Sequence, residues 1–233
     1  IQIGTPLNKY WHLIMSRVFD AQGLSSMMAT KRFVKQIEDY DPDVIHLHNL
    51  HGYYLNIEVL FGYLKSANKP VVWTLHDCWP FTGHCAHFDY IGCEKWKTEC
   101  GECPQKSDYP VCNGVDGSRR NYLRKKEAFV GLDNLTIVTP SKWLGELVKE
   151  SFLREYPIAV INNGIDLESF KPAESDFRKR YNITDKKIIL GVAQVWGSRK
   201  GLRYFIELSS LLDDDFQIVL IGLTDKEKQF LPA

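Results

Sequence analysis

The sequence has no excess of charge of either sign, because its 29 Lys and Arg residues balance 29 Asp and Glu residues. A balanced chain lacks the broad positive field that attracts nucleic acids, so we expect no nucleic-acid partner. Long apolar runs are also lacking, and none approaches the roughly 20 residues of a membrane-spanning helix. The first residues have neither the charged start nor the cleavage pattern of a secretory signal. We therefore expect a soluble, cytoplasmic protein.

What the sequence does contain is a regular alternation of strand-type and helix-type segments. Hydrophobic residues make up 44% and charged residues 25%, which is typical of a folded globular chain and excludes disorder and fibrous repeats. Helical patterns at 8–20 and 25–40 come first. Strand-type runs follow at 43–49, 71–77, 135–141 and 158–164, separated by helical patterns at 55–67, 118–131 and 141–152. This βαβ order predicts an α/β fold with a parallel sheet.

A domain boundary is predicted where the pattern stops. The segment 166–186 has no strand pattern and carries a proline and many charges. We assign 1–170 to a first Rossmann-like domain, 171–186 to a linker and 187–233 to the start of a second such domain. The second domain has only two strand-type runs, whereas a doubly wound domain needs about five or six strands. We interpret the chain as an internal fragment whose first domain lacks its opening strand and whose second is truncated.

Compact polar residues follow all four strand-type runs of the first domain. They are His46, His48, Asn49 and His51; Thr74, His76 and Asp77; Thr139 and Ser141; and Asn162, Asn163, Gly164 and Asp166. Ligands of open parallel sheets bind beyond the carboxyl ends of the strands, which favours a functional role for His76. For His46 a hydrogen-bonded structural role is favoured. A metal site on the histidines is disfavoured, because no acidic residue or cysteine stands at a ligand spacing from them.

All six cysteines fall in one window, residues 78–112, which we call the cysteine-rich insertion. A loop of this length without its own core needs a cross-link. Cys100 and Cys103 form a Cys-x-x-Cys pair, and Cys85 and Cys93 would complete a four-sulfur zinc site, leaving Cys78 and Cys112 over. In a cytosolic protein this pattern favours a structural zinc ion over disulfides. Free thiols and an iron–sulfur cluster stay open as alternatives.

Four strings, in order, carry a resemblance to a known family. They are Thr74-Leu75-His76-Asp77, the WPFTGHC string at 79–85, VINNGIDLESFKP at 160–172 and WGSRKG at 196–201. Together they resemble the glycosyltransferase family 4 enzymes of the GT-B fold, and most closely the branch that makes bacterial exopolysaccharides such as colanic acid. The resemblance runs over nearly the whole chain.

The resemblance implies a retaining glycosyltransferase that moves a sugar from a nucleotide-diphosphate donor to a glycan or lipid-linked acceptor in cell-surface polysaccharide biosynthesis. No catalytic metal is expected. By match to the family strings, His76 is the catalytic residue and Lys200 meets the donor diphosphate, while Asn163 and Gly164 lead into the second domain. Arg199 would supply a second cation. Asn49, His51 and Asp77 complete the predicted substrate-binding set.

The chain also departs from the family pattern. Gln194, Val195 and Trp196 stand where the family has Gly-Arg-Leu, so one arginine is missing. The paired glutamates and the glycine-rich loop of the family lie outside this sequence, and we do not expect the fragment to be active alone. Two other functions stay open: a non-catalytic binding module of GT-B shape, and a nucleotide-sugar epimerase.

Two surface features have alternative interpretations. Four aromatic residues of the insertion would either face sugar rings or pack around the cross-linked loop: Trp79, Phe81, Tyr90 and Trp96. A basic run on one predicted helix would either face solvent or make a peripheral contact with the inner membrane face: Arg119, Arg120, Arg124, Lys125 and Lys126.

Overall fold

The computed structural model describes residues 1–231, so the last two residues of the predicted second domain lie outside the described part. The chain divides into two compact units, Ile1–Gly164 and a second that starts at Ile165. The division lies just before the segment 166–186, which lacks a strand pattern. Each unit is described by itself.

The first unit has a four-stranded parallel sheet in the order β1-β2-β3-β4. Its strands are β1 (Ile45–Leu47), β2 (Val71–Thr74), β3 (Leu135–Thr139) and β4 (Ile158–Val160). Its helices are α1 (Pro6–Phe19), α2 (Met27–Tyr40), α3 (Ile57–Ala67), α4 (Ser118–Phe129) and α5 (Lys142–Glu150). His46, Thr74 and Thr139 lie within the strands. The other polar residues predicted at the strand ends follow the strands and lie in the loops at the carboxyl edge of the sheet.

Aromatic packing joins the sheet to its helices. Phe61 of α3, Trp73 of β2 and Phe129 of α4 are almost fully buried, with ring centroids 4.6–5.3 Å apart. The starts of two helices are fixed by side-chain caps, since Asn56 accepts a hydrogen bond from the Val59 N–H and Ser141 from the Leu144 N–H. The loops at the carboxyl edge therefore start from a rigid frame.

The cysteine-rich insertion lies between β2 and α4 and contains three short 3₁₀ turns, Trp79–Phe81, Asp89–Ile91 and Lys95–Lys97. Trp79, Phe81 and Trp96 are buried, and Trp96 stacks on Phe88 with a centroid separation of 4.6 Å. Tyr90 is 48% exposed. Three of the four aromatic residues proposed for sugar contact thus form a core of the insertion, as expected from the packing alternative.

The basic run of α4 does not form one free surface. Lys125 is buried, donates to the carbonyl oxygens of Trp79 and Thr82 at 2.8 and 3.1 Å, and lies 3.5 Å from the centroid of the Trp79 ring. Burial lowers the pKa of Lys125 to about 7. Arg124 pairs with Glu58 through two hydrogen bonds. Among residues 1–231, no helix combines the length and the apolar character needed to cross a membrane.

The second unit has two parallel strands, β5 (Lys187–Val192) and β6 (Phe216–Ile221). Its helices are α6 (Phe177–Arg180), α7 (Leu202–Ser209) and α8 (Asp225–Lys228). Trp196 is 5% exposed, donates its indole N–H to the Ile221 carbonyl at 3.0 Å and meets Phe205 edge to face. The tryptophan that replaces the family's Gly-Arg-Leu pattern thus has a packing role in this unit.

Candidate active site

Two histidines meet at the carboxyl edge of the first sheet. Nδ1 of His48 lies 3.0 Å from Nε2 of His76, and the two rings stack with centroids 5.3 Å apart. Both side chains are exposed. The parallel register explains the contact, because Leu47 pairs with Trp73 and the segments that follow the two strands leave the sheet side by side. The catalytic residue predicted from the sequence therefore has a histidine partner.

The hydrogen bond between these histidines restricts their protonation. One ring must present an N–H and the other a bare nitrogen, so the pair holds one proton at the shared position. Nε2 of His76 is used in this bond, and its Nδ1 is the nitrogen left to meet a ligand. His46, on the same face, instead has Nε2 2.8 Å from Oγ1 of Thr74, in keeping with the structural role favoured for it.

Asp77 and His51 form a second, more buried pair. Nε2 of His51 lies 3.0 Å from Oδ2 of Asp77, and Nδ1 of His51 lies 3.1 Å from the Tyr109 hydroxyl. Asp77 also accepts the Trp79 N–H at 2.9 Å. Burial by itself raises the pKa of Asp77, but the contact with His51 and the Trp79 N–H outweigh it and lower that pKa. The carboxylate is therefore charged at neutral pH.

These contacts give His51 and Asp77 a structural function. His51 is only 7% exposed, and both of its ring nitrogens face side chains of the protein. They link the loop after β1 to the start of the insertion and to Tyr109, 58 residues along the chain. The two predicted substrate-binding residues thus contact each other and the insertion that follows His76. Tyr109 was not identified from the sequence, because only the fold brings it to His51.

Asn49 lies at the rim of a groove beside β1. The groove has a volume of about 490 Å³ and is lined mainly by apolar side chains, with His46, His48 and Asn49 as polar members. The Asn49 carbonyl accepts the Tyr54 hydroxyl at 2.6 Å, which fixes the backbone there. The exposed Asn49 side chain is thereby held beside the histidine pair.

Asn163 and Gly164 are exposed at the end of the first unit. Arg199 and Lys200 are exposed in the second unit, in a 3₁₀ turn formed by Ser198–Lys200. The sequence places the start of the next helix at Lys200, but α7 begins at Leu202. Gly201 is its N-cap with φ of +75°, a left-handed conformation that glycine adopts without strain and that separates the turn from the helix. The two cations therefore precede the helix.

The four cysteines assigned to a zinc site lie around one small cavity within the insertion: Cys85, Cys93, Cys100 and Cys103. The thiol of Cys85 is hydrogen-bonded to Cys103, which lowers the pKa of Cys103 to about 7 and raises that of Cys85. All six cysteines are free. Within residues 1–231, no three His, Cys, Asp or Glu side chains stand in a ready-made metal-binding arrangement.

The family model for Glycosyltransferase Family 4 matches residues 10–169, which is more than half of the chain. The chain belongs to glycosyltransferase family 4. The resemblance predicted from the four strings is thereby confirmed, and the matched region holds both the histidine pair and the cysteine-rich insertion.

Two curated relatives are similar to parts of this family 4 chain. The putative colanic acid biosynthesis glycosyl transferase WcaC of Escherichia coli (strain K12) is 35% identical over 133 residues, which are 54% of this chain and 32% of that protein. The processive diacylglycerol alpha-glucosyltransferase of Acholeplasma laidlawii is 29% identical over 77 residues, or 31% and 23% of the two chains. The matched part of the chain thus spans about a third of the length of the first relative and about a quarter of the length of the second.

A solved structure supports the fold. The sucrose-phosphate synthase of Thermosynechococcus elongatus matches 85% of this chain and 43% of its own with a TM-score of 0.54 and 16% identity. At this identity the match concerns the fold alone. The predicted fold class, GT-B with Rossmann-like parallel sheets, is confirmed.

Proposed function

We propose that this family 4 chain is part of a retaining glycosyltransferase that moves a sugar from a nucleotide-diphosphate donor to a glycan or lipid-linked acceptor in cell-surface polysaccharide biosynthesis. The observation that carries the proposal is the position of His76, exposed at the carboxyl edge of the sheet and hydrogen-bonded to His48. The similarity of the chain to relatives named as glycosyltransferases supports the same class of reaction.

In this proposal His76 contacts the sugar that is transferred, and the pair with His48 fixes the orientation of its ring. A ring that is already held in one orientation needs no reorganisation to meet the sugar. The contact of Asp77 with His51 holds the loop that follows His76. Asn49, Asn163 and Gly164 would line the substrate site from the loops after β1 and β4.

The leaving diphosphate gains negative charge as the bond to the sugar breaks. Lys200 and Arg199 are exposed and adjacent, and we assign them to this charge. Cationic side chains can supply the stabilisation that a metal ion supplies in other transferases. A lipid-linked acceptor would bring the enzyme to the inner face of a membrane. Helix α4 offers little for such a contact, since Arg124 is paired and Lys125 is buried.

The test is release of nucleoside diphosphate by the full-length gene product, offered UDP-, GDP- and TDP-sugars with and without a glycolipid extract. We expect release from one donor, a higher rate with acceptor and a loss of at least about 100-fold in the His76→Ala variant. Lys200→Ala should reduce release strongly. Lys179→Ala, which removes an equally exposed lysine from α6 of the same unit, should not.

The outcomes separate the alternatives. Turnover of a donor to an isomeric sugar nucleotide without acceptor would identify an epimerase. A folded protein that neither binds nor turns over any donor would support a binding module. Equal activity of the His76→Ala variant and the wild type would remove His76 from the site.

A further inference from the structure

We propose that Cys85, Cys93, Cys100 and Cys103 bind one structural zinc ion that cross-links the cysteine-rich insertion. The four residues come from three separate parts of the insertion, and their side chains line one cavity. Four thiolates form the closed tetrahedral set that structural zinc sites use, with no position left for water or substrate. The site is thus distinct from the histidine pair at the edge of the sheet.

The cavity has the size and lining of an ion site. It measures about 10 Å³, close to the least volume that holds a single water molecule. Phe88 and Trp96 cover it on one side, and both are buried. An ion bound there would replace the thiol protons of the cysteines.

The backbone around the cavity is arranged to donate to sulfur. The Gly83 N–H donates to the Sγ of Cys100 at 3.2 Å. Backbone donors of this kind stabilise metal-bound thiolates and orient them. A side chain at position 83 would collide with the Ser118 carbonyl, so a glycine there allows the close approach. Glu102, between the paired cysteines, has φ of +48°, a left-handed conformation that makes a tight turn.

The surroundings also suit the charge of such a site. A zinc ion with four thiolates carries two negative charges, and a buried anion needs nearby positive groups. Buried Lys125 is close enough to Cys100 and Cys85 to interact electrostatically with both. His84 lines the cavity as well, with its Nδ1 2.6 Å from Asp20 and its buried Nε2 without a hydrogen-bond partner.

The remaining two cysteines provide a matched control. Cys112 is buried in the same insertion, but its thiol contacts the Val115 carbonyl at 3.4 Å and it does not line the cavity. Cys78 is likewise buried and outside the lining. Disulfides could include any of the six cysteines. One tetrahedral ion needs only the four that line the cavity.

The experiment measures metal in the chain purified without added zinc, by plasma mass spectrometry, beside alkylation of native thiols. We expect about one equivalent of zinc per chain and four thiols that become reactive on chelation, whereas the buried Cys78 and Cys112 should react only after unfolding. Cys103→Ser should lower the zinc content at least about tenfold, and Cys112→Ser should leave it unchanged. Cobalt(II) exchanged into the wild type should give the intense visible bands of a tetrahedral thiolate site, which tests the geometry even if Cys103→Ser fails to fold.

Three results would overturn the proposal. The first is zinc below about a tenth of an equivalent, with no increase in reactive thiols on chelation. The second is a mass deficit that reveals disulfides between these cysteines. The third is iron with acid-labile sulfide in the purified protein, which would identify an iron–sulfur cluster instead.

Discussion

Replacement of Asp77 by asparagine tests whether this residue holds the loop behind His76. Asparagine keeps an oxygen that can accept the Trp79 N–H, which the aspartate accepts at 2.9 Å. It removes the negative charge that lies 3.0 Å from His51. The two side chains of this pair are only 9% and 13% exposed, so solvent screens their interaction weakly. The variant therefore removes the charge of Asp77 beside His51 and keeps the hydrogen bond to the Trp79 N–H.

The expected loss follows from the type of contact. A hydrogen bond to a charged group in a buried setting contributes about 1.5–3 kcal/mol, and we expect Asp77→Asn to lower the free energy of unfolding by about 2 kcal/mol at pH 7. The folded-state pKa of Asp77 is lowered below its usual 3.8. The stabilisation is therefore fully present above that value and is lost as the pH falls through the folded pKa. The difference between wild type and variant should persist at pH 5 and shrink only in stronger acid.

The measurement is urea unfolding followed by tryptophan fluorescence, since five of the six tryptophans lie in the first unit. Asp39→Asn is the matched control, because Asp39 pairs with Lys35 on the surface with both side chains largely exposed. That change should cost only about 0.3–0.5 kcal/mol. The reasoning would be refuted if the two variants were equally stable, or if the effect of Asp77→Asn were the same at pH 3 as at pH 7.

Three further predictions concern the frame and its pH dependence. Phe61→Ala should lower the free energy of unfolding by about 3–5 kcal/mol in the same assay, because Phe61 is fully buried between Trp73 and Phe129; a loss under about 1 kcal/mol would contradict this packing. Gly62→Ala should raise it by about 0.5–1 kcal/mol, since Gly62 is an exposed interior residue of α3 and an added methyl group meets nothing within 4 Å; destabilisation would be the contrary result. Burial lowers the pKa of His12 from 6.5 to about 4. Because the unfolded chain takes up this proton first, stability should decline as the pH falls from 6.5 to 4, and NMR titration of His12 near 6.5 in the folded state would disprove the mechanism.

The elements of the fold could be predicted from local pattern. The strand-type runs around Ile45, Val71, Leu135 and Ile158 are strands of one parallel sheet. Short runs of β-branched residues between turn residues favour strands, and the alternation with helices favours a parallel sheet. The alternation of side chains correctly placed His46 and His48 on one face. His76 at the end of β2 followed from the rule for ligand sites in parallel sheets.

The contacts of the site could not be predicted in the same way. His51 and Asp77 look like ligand-binding residues in the sequence, but Tyr109 reaches them only through the fold of the insertion. Lys125 has the sequence context of a solvated helix face, yet it is buried against Trp79. Both cases depend on long-range packing, which periodicity does not encode. The strings shared with the family specified His76 without giving its partner His48.

The position of the cysteine-rich insertion bears on how such a fold can diversify. It departs after β2 and returns through α4 to β3, and these strands are neighbours in the sheet although about 60 residues separate them. The entropy of closing a loop rises only with the logarithm of its length, by about 0.6 kcal/mol for each doubling. A segment can therefore lengthen or shorten at this point at little cost to the sheet. Because His76 and Asp77 stand at the first step of that segment, changes in the insertion can alter what reaches the histidines while the strands stay as they are.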